Sequence, residues 1–494
     1  MNYLDILKAV LPETILVLTA FGLLAADLTL RDVNLRMRFI IGAMIASAGC
    51  AITIAWICVM PMPPEIPGGM LLINPLSQAV KVGLVGLTIF TLWLSVDSHF
   101  TEHVGEYLAL ILLATIGMMF LVSAEDILMV FVALELTSLA LYILTAFNKR
   151  NIRSAEAALK YFLFGSMSAA FLLFGLSLVY GLSGETNLQA IAESLSGREL
   201  DPLLVLAIVM VVTGFGFKVA AVPFHLWAPD AYEGAPAPSA AFIASGSKVA
   251  SFFIFAKVML LGFLGAEGSG AWLNYVIGWV PLVALVAALS MIVGNLAAIV
   301  QSSVKRLIAY SAIAHGGYAL LGILSQTGEG VVALLYYVLT YGLTTIGAFG
   351  VVAAVEQGTG GDRLSDFAGL SRRSPVVAAC MFVFMLSLTG IPPLAGFFGK
   401  FYVFAEVVRS GAPALGLLWI VFLAIGMSAV SLYYYLQVLK QIYVADAPQD
   451  AGRIRVPAIQ QIVLCLLAIG VIVLGCAPSL LLNPLHHAIA GGGH

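Results

Sequence analysis

Eight lysines stand inside the long apolar stretches of this 494-residue chain: Lys8, Lys81, Lys160, Lys218, Lys248, Lys257, Lys400 and Lys440. No arginine is placed in this way, although Lys and Arg together number 23. A lysine at mid-bilayer costs about 2.5–3.5 kcal/mol on insertion scales, so each needs a reason. Arginine would pair a carboxylate at least as well but never gives up its proton, whereas a buried lysine can. The choice of lysine points to proton uptake and release. The densest stretch is TGFGFKVAAVPFHLWAPDAYEGAPAPSA, residues 213–240, which carries Lys218, Pro223 and His225 close together. Pro223 cannot donate to the Val219 carbonyl and should break the helix there. Irregular backbone at membrane depth is tolerated only inside protein or beside a water-filled cavity. A lysine beside a broken helix therefore reads as part of an ion path.

The eight lysines are not equivalent. Lys8 and Lys440 lie near the ends of apolar stretches, where a long stem carries the ammonium out to the headgroups. Lys257 follows Lys248 by nine residues, so it faces the opposite side of a helix nearer its end, and the same is expected of it. Lys160 follows Glu156 by four, the spacing of a local ion pair. Lys218, Lys248 and Lys400 are deepest. One acid matches them: Glu135, in FVALELTSLALY, has no basic residue within a helical turn. It must find its partner on another helix or stay protonated. No role is assigned to Glu13, Asp27 or Lys81. His225 and His315 suit a proton relay or a hydrogen bond better than haem or copper, which need a recurrent His pair or a Cys set at ligand spacing. His486 and His487 lie in the terminal tail. Cys50, Cys58, Cys380, Cys465 and Cys476 form no CxxC pair and are expected as small buried hydrophobes, so no metal site is expected.

These side chains need a membrane scaffold, and the composition supplies one: 61% hydrophobic and 10% charged, with mean hydropathy +1.04. A soluble domain carries about 25% charged residues. The net charge of −3 gives no sign of nucleic-acid binding. Helical spans need about 20 mostly apolar residues. Fourteen are expected, at 6–30, 37–59, 71–96, 106–122, 126–147, 153–182, 202–227, 238–262, 272–300, 304–324, 330–355, 375–404, 412–444 and 458–483. The segment PMPPEIPGG joins the second and third. The first continues into further spans, so no cleavable leader is expected. Odd-numbered connections hold 13 basic residues and even-numbered ones only Arg198 and Arg409. That asymmetry puts both termini outside, in the periplasm of a bacterial inner membrane.

A weak internal repeat is visible. Lys218 and Lys400, each beside a proline break, are 182 residues apart, and Glu135 and His315 are 180 apart. Two five-span units, spans 4–8 and 9–13, would give this spacing, and an odd number of spans inverts one unit against the other. The expected division is residues 1–105 for spans 1–3, 106–262 and 263–444 for the two repeats, and 445–494 for span 14 and the tail.

The segments GFKVAAVPFHLWAPDAYEGAPAP, SGSKVASF, NLAAIVQSSVKRLIAYSAIAHGGY, TTIGAFGVV and GIPPLAGFFGKFYVF, in this order, resemble the antiporter-like membrane subunits of respiratory complex I, the proton-translocating NADH:quinone oxidoreductase. The likeness covers essentially the whole chain, most clearly residues 100 to 445. It falls on the branch designated N, because span twelve carries Lys400 where the M branch typically has glutamate, and because the long lateral helix of the L branch is missing. The resemblance implies roles. Glu135 matches the fifth-span glutamate that pairs with the seventh-span lysine, Lys218. Lys248 matches the central lysine of span eight, and Lys400 the lysine of the second half-channel. Lys160, His225 and His315 match supporting polar positions. It also implies a translocase subunit with no cofactor of its own. NADH, FMN, iron–sulfur clusters and quinone would belong to partner subunits, and paralogous antiporter-like subunits would flank it in the membrane. Two rivals are an Mrp-type cation/proton antiporter subunit and a non-conducting scaffold. Three deep lysines argue against the scaffold, which leucine would serve better.

Overall fold

The computed structural model describes residues 7–60, 69–97, 100–197, 200–411, 416–447 and 452–491. The PMPPEIPGG connection, apart from Gly69, and Arg198 lie outside the described residues. The protein is α-helical, as expected, apart from a short antiparallel hairpin of Ser269–Ala271 with Asn274–Val276, which occupies the start of the expected ninth span, so that its helix begins at Trp279. Among the described residues twelve helices or helix runs are long and apolar enough to cross a membrane. In order, the transmembrane scaffold is α1 Leu11–Thr29, α2 Leu35–Val59, α3 Pro75–Leu94, α4 Val104–Ser123, α5 Ile127–Thr145 and α6 Ile152–Ser183. Then come α7 Pro202–Lys218, α8 Trp227–Gly234, α9 Ala237–Ala244, α10 Gly246–Lys257, α11 Trp279–Ile299 and α12 Val304–Leu324. The last are α13 Gly328–Thr359, α14 Pro375–Thr389, α15 Ala395–Gly411, α16 Leu418–Tyr443, α17 Ala458–Cys476 and α18 Ser479–Gly491. The run α9–α10 counts as one crossing, whereas α7 and α14 are shorter apolar helices.

Helices satisfy their backbone within one segment, which hydrocarbon demands. Their starts are set by side chains that take up the free N–H groups. Asn74 and Ser77 cap α3 reciprocally, Asp126 caps α5, Asn151 α6, Asp201 α7, Ser303 α12 and Thr327 α13. Gly184, Gly360 and Gly390 close α6, α13 and α14 in the left-handed conformation, at φ 76, 77 and 92°.

The centre is formed by α12 and α13, each 94% buried over its most apolar stretch, and by α9–α10 at 89%. By contrast α1 is 28% and α2 33% buried. The exposed side chains of the outer helices are large and apolar, among them Leu18, Phe21, Leu159, Phe171 and Phe422, as a lipid-facing surface requires.

Three helices are interrupted. Residues 219–226 separate α7 from α8, and residues 390–394 separate α14 from α15, both at the expected prolines. The third interruption, at Ser245 between α9 and α10 (φ −116°, ψ −85°), has no proline and was not expected. A π-helical turn, Val258–Gly262, then extends α10.

Several charged residues find structural partners. Lys81 and Glu13 pair at 2.7 Å with side chains 1% and 2% exposed, joining α3 to α1. Arg38 holds both oxygens of Asp27, which also accepts from the Gly105 amide at 3.1 Å, so α1, α2 and α4 share one anchor. Lys8 and Lys440 are exposed, as expected. Lys257 corrects its expectation. It does not snorkel but pairs with Glu125 and donates to the Ala124 carbonyl at 2.8 Å, because the α4–α5 connection brings acceptors to it. All five cysteines are free, but only Cys50 and Cys380 are buried, while Cys58 and Cys476 sit on the outer surface.

The α14–α15 interruption is held by backbone contact with α17. A Cβ on Gly475 would lie 2.1 Å from the Pro393 carbonyl oxygen, whereas one on Gly470 would meet nothing within 4 Å. Gly475→Val is therefore expected to cost about 1–3 kcal/mol and Gly470→Val almost nothing. Thermal unfolding of the two variants in detergent checks this; equal midpoints would mean that the close approach is not required.

Candidate functional site

The three deepest lysines are all buried: Lys218 is 9% exposed, Lys248 3% and Lys400 5%. None has a carboxylate within ion-pair distance, 4.0 Å, among the described residues. Each is instead held by neutral oxygen acceptors and aromatic faces.

Lys218 is the last residue of α7 and donates to the Ser138 hydroxyl of α5. Glu135 lies one turn before Ser138 on the same helix and is part-buried. Among the described residues it forms no salt bridge with Lys218, which donates to Ser138. The pairing that the resemblance implies is thus a proximity rather than a contact. A void of about 10 Å³ touches Lys218, Ser138 and Thr137 on one side and Ser247 and Ser251 of α10 on the other. That is about the space of one water between the seventh-span lysine and the helix that carries Lys248.

Lys248 sits on the first turn of α10, just past the Ser245 interruption. It donates to the Ala312 carbonyl of α12 at 2.5 Å and lies 5.7 Å from the centre of the Tyr341 ring. His315 follows Ala312 by three residues on α12, and its ring lies 4.9 Å from that of Tyr341. Its Nδ1 bonds the Tyr337 hydroxyl at 2.7 Å and its Nε2 the Tyr435 hydroxyl at 3.0 Å. The His315 ring thus lies 4.9 Å from Tyr341, which faces Lys248, and 5.8 Å from Tyr318, which faces Lys400.

Lys400 projects from α15 back across the interruption. It donates to the Leu388 and Thr389 carbonyls at 3.1 and 2.9 Å and to Ser428 at 2.9 Å. The break leaves those carbonyls without helical partners, and the C-terminal end of α14 carries partial negative charge. Tyr318 lies 5.0 Å away and bonds Asn295, which accepts from Tyr434. A cavity of about 530 Å³ adjoins Lys400, lined by Thr389, Gly390, Ser428 and apolar side chains such as Phe401.

At one end of the molecule a charged cluster adjoins this row. Lys160 pairs with Glu156 at 2.7 Å, as its spacing predicts, and with Asp230 of α8 at 2.8 Å. Arg306 of α12 reaches Asp230 at 2.8 Å and Glu233 at 2.9 Å. A pocket of about 180 Å³ is lined by Arg153, Glu156, Lys160, Asp230 and Glu233. His225 lies in the first interruption, part-buried. Among the described residues no hydrogen bond joins its ring to Lys218.

Sequence reasoning missed Ser138, Tyr341, Tyr337, Tyr435, Asp230, Glu233 and Arg306. The signal for the two acids was present, in PDAYEG directly after the proline break. Tyrosines in an apolar run give no such signal, since they pack as well as phenylalanine until a partner is seen. Among the described residues no group of three or more His, Cys, Asp or Glu could hold a metal ion.

An ammonium buried without a counter-charge is costly, and apolar replacement relieves that cost, whereas removing one member of a buried pair strands the other. Lys400→Met should therefore leave the unfolding midpoint unchanged or raised. Lys81→Met should lower it, because Glu13 is left alone. Thermal unfolding in detergent distinguishes them; a comparable fall in both would mean that Lys400 has an ionic partner.

Comparison with known proteins gives a concordant result. Residues 124–428 match the family described as NADH:quinone oxidoreductase/Mrp antiporter, TM. NADH-quinone oxidoreductase subunit N 2 of Acidobacterium capsulatum is 51% identical over 98% of this chain and 99% of its own length. A chain of respiratory complex I from Thermus thermophilus superposes with TM-score 0.76 at 33% identity, over 96% of this chain and 99% of that one. A chain of the Mrp complex from a Dietzia species has TM-score 0.80 at 20% identity, over 97% of each chain, and shares the fold.

Proposed function

The chain belongs to the NADH:quinone oxidoreductase/Mrp antiporter transmembrane family, on its subunit N branch, and we propose that the row Glu135, Lys218, Lys248, His315 and Lys400 is its proton path. As a membrane-arm subunit of NADH:quinone oxidoreductase it moves protons, driven by redox chemistry in other subunits. NADH, FMN, iron–sulfur clusters and quinone belong to those partners. The supporting observation is three buried lysines solvated by neutral oxygens at or beside the helix interruptions. Taking each interrupted pair, α7–α8 and α14–α15, as one crossing gives fourteen spans and two inverted units, 4–8 and 9–13. Both termini then face the periplasm of a bacterial inner membrane.

The path begins at the Lys160–Asp230–Arg306 cluster, on the cytoplasmic side by the same count. His225, in the first interruption, lies on the way to Lys218. Among the described residues the buried hydroxyl of Tyr232 has no hydrogen-bond partner, and water is the partner that such a group ordinarily takes. His315 links Lys248 to the second half through two tyrosine hydroxyls.

The energetics suffice. Moving one charge across 100 mV takes about 2.3 kcal/mol. An opposite charge within about 4–6 Å alters a proton affinity by about 1–3 pKa units, each worth about 1.36 kcal/mol. Ser138 and Glu135, a turn apart, give Lys218 two resting places, one neutral and one charged. Movement to Glu135 stabilises the ammonium, and return to Ser138 leaves it among dipoles alone. An Mrp-type cation/proton antiporter is the second reading of this fold; the 51% identical subunit N relative favours the first.

Glu135→Ala is expected to reduce proton pumping and coupled quinone reduction in an assembled complex, with Glu135→Asp milder. Normal pumping in reconstituted vesicles would remove Glu135 from the path. At Lys400, arginine should fail nearly as badly as alanine, because its pKa lies above about 12. Histidine should retain more activity near pH 6.5. Full pumping by Lys400→Arg would show that a fixed charge is enough there.

A further inference from the structure

One polar side chain in the apolar run of α11 has no part in the lysine row. Asn295 is 0% exposed. A buried amide is costly unless its donors and its acceptor are bonded, and here they are. Its Nδ2 donates to the Met291 carbonyl at 2.8 Å and to the Tyr318 hydroxyl at 2.9 Å, and its Oδ1 accepts from the Tyr434 hydroxyl at 2.9 Å. The Met291 bond lies one turn back on the same helix, so the amide is oriented by its own backbone. Through the two tyrosines Asn295 then ties α12 and α16 to α11. Tyr318, 1% exposed, gains a fixed place from this. Its hydroxyl is held by Asn295, and its ring makes T-shaped contacts with His315 at 5.8 Å and with Phe404 of α15 at 6.0 Å. The Lys400 ammonium lies over that ring, 5.0 Å from its centre.

Ring faces recur along the row. Among the described residues three cations lie over aromatic rings: Lys218 over Phe217 at 5.6 Å, Lys248 over Tyr341 at 5.7 Å and Lys400 over Tyr318. These are the three lysines without a carboxylate in ion-pair distance. The lysines that pair with acids, Lys81, Lys160, Lys257 and Lys305, are not among them. Phe217 adjoins Lys218 in the chain, whereas Tyr318 reaches Lys400 from another helix and makes the shortest of the three contacts. The face of an aromatic ring carries partial negative charge. It attracts an ammonium, offers little to a neutral amine and takes no proton itself. A carboxylate in the same place would hold the ammonium harder and would compete for its proton.

We propose that Tyr318, anchored by Asn295, is a positioning residue for Lys400, its ring face standing where a counter-ion would otherwise be. The proposal rests on the proton-path reading given above. A desolvated ring face favours the charged lysine over the neutral one by about tenfold, so Lys400 takes up its proton at a pH about one unit higher than it would without the ring. Other titratable groups face this spot: His315, in contact with Tyr318; Tyr337, packed against Gly399 beside Lys400; and Tyr434 and Tyr435 of α16. The helices α14 and α17 bring only cysteines, and Glu406 and Arg409 of α15 pair with each other. All of these stay in place when the ring is changed, so a difference between ring variants reports the ring.

The test measures protons pumped per NADH oxidised, across a range of pH, by the whole complex in proteoliposomes, with assembly checked on native gels. Four forms are compared with the wild type: Lys400→Met, Tyr318→Leu, Tyr318→Phe, and a ring-fluorinated phenylalanine at position 318. Fluorine draws charge away from the ring face and leaves the shape of the ring nearly unchanged. Tyr318→Leu is expected to move the alkaline limit of pumping about one pH unit lower, with yield restored at lower pH, which a packing defect would not do. Tyr318→Phe, which keeps the face and loses the Asn295 anchor, should move it least, and the fluorinated ring should move it further than Tyr318→Phe. If the fluorinated ring and Tyr318→Phe give the same profile while Lys400→Met has lost its yield, the ring only packs, the proposal is wrong and the lysine row stands. If Lys400→Met keeps the full yield at every pH, the proton-path reading falls first. Should Tyr318→Leu fail to assemble, the two rings of like shape still decide.

Discussion

An ammonium placed in an apolar interior without a carboxylate is the constraint that shapes this protein. Lys218, Lys248 and Lys400 are each held by carbonyls, hydroxyls and aromatic faces. A carbonyl inside an intact helix already accepts from four residues on and takes an ammonium only on its second lone pair, as Ala312 of α12 does for Lys248. Backbone acceptors become available where a helix stops. The interruption in α14–α15 therefore solvates a cation as well as bending the chain, whereas Lys218, beside the α7–α8 interruption, donates to the Ser138 hydroxyl of α5. At Lys400 the link is direct, since its acceptors Leu388 and Thr389 are the last residues of α14.

The charges divide according to depth and partner. Around the central row, cations are matched with acids: Lys160 with Glu156 and Asp230, Lys305 with Glu356, Arg38 with Asp27, Lys81 with Glu13. Within the row they are not. A paired lysine is fixed, because leaving its acid uncompensated costs several kcal/mol. A lysine held by neutral dipoles changes charge state more cheaply, since no bare carboxylate is left behind. This division separates cations paired with acids from those held by neutral groups.

Much of this was legible in the sequence because membrane insertion makes polar residues expensive. Lys218, Lys248, Lys400 and Glu135 stood out for that reason alone, and Pro223, Pro392 and Pro393 marked two interruptions. What escaped notice cost nothing to insert. Ser245 breaks a helix without proline, through small neighbours in SGSK. Tyr337, Tyr341 and Tyr435 read as packing residues until the fold sets their hydroxyls around His315. Lys257 was misjudged because distance to a span end is a one-dimensional measure. The acid that captures it, Glu125, is more than a hundred residues away in sequence and reaches it through the α4–α5 connection.

His315 is placed so that a neutral ring is satisfied on both sides. A neutral imidazole donates from one nitrogen and accepts at the other. Here both nitrogens face hydroxyls, Tyr337 on one side and Tyr435 on the other, and Tyr435 also bonds Ser311. A hydroxyl can donate or accept by rotating, so either tautomer of His315 is satisfied. A proton that enters at one nitrogen as another leaves from the opposite nitrogen passes through without an imidazolium persisting between two lysines. An imidazolium there would add charge beside Tyr341 and Tyr318, the rings that face the Lys248 and Lys400 ammonium groups. The tyrosines thus satisfy a neutral imidazole, and the cost of buried charge rests on the lysines, which hydroxyls and carbonyls hold.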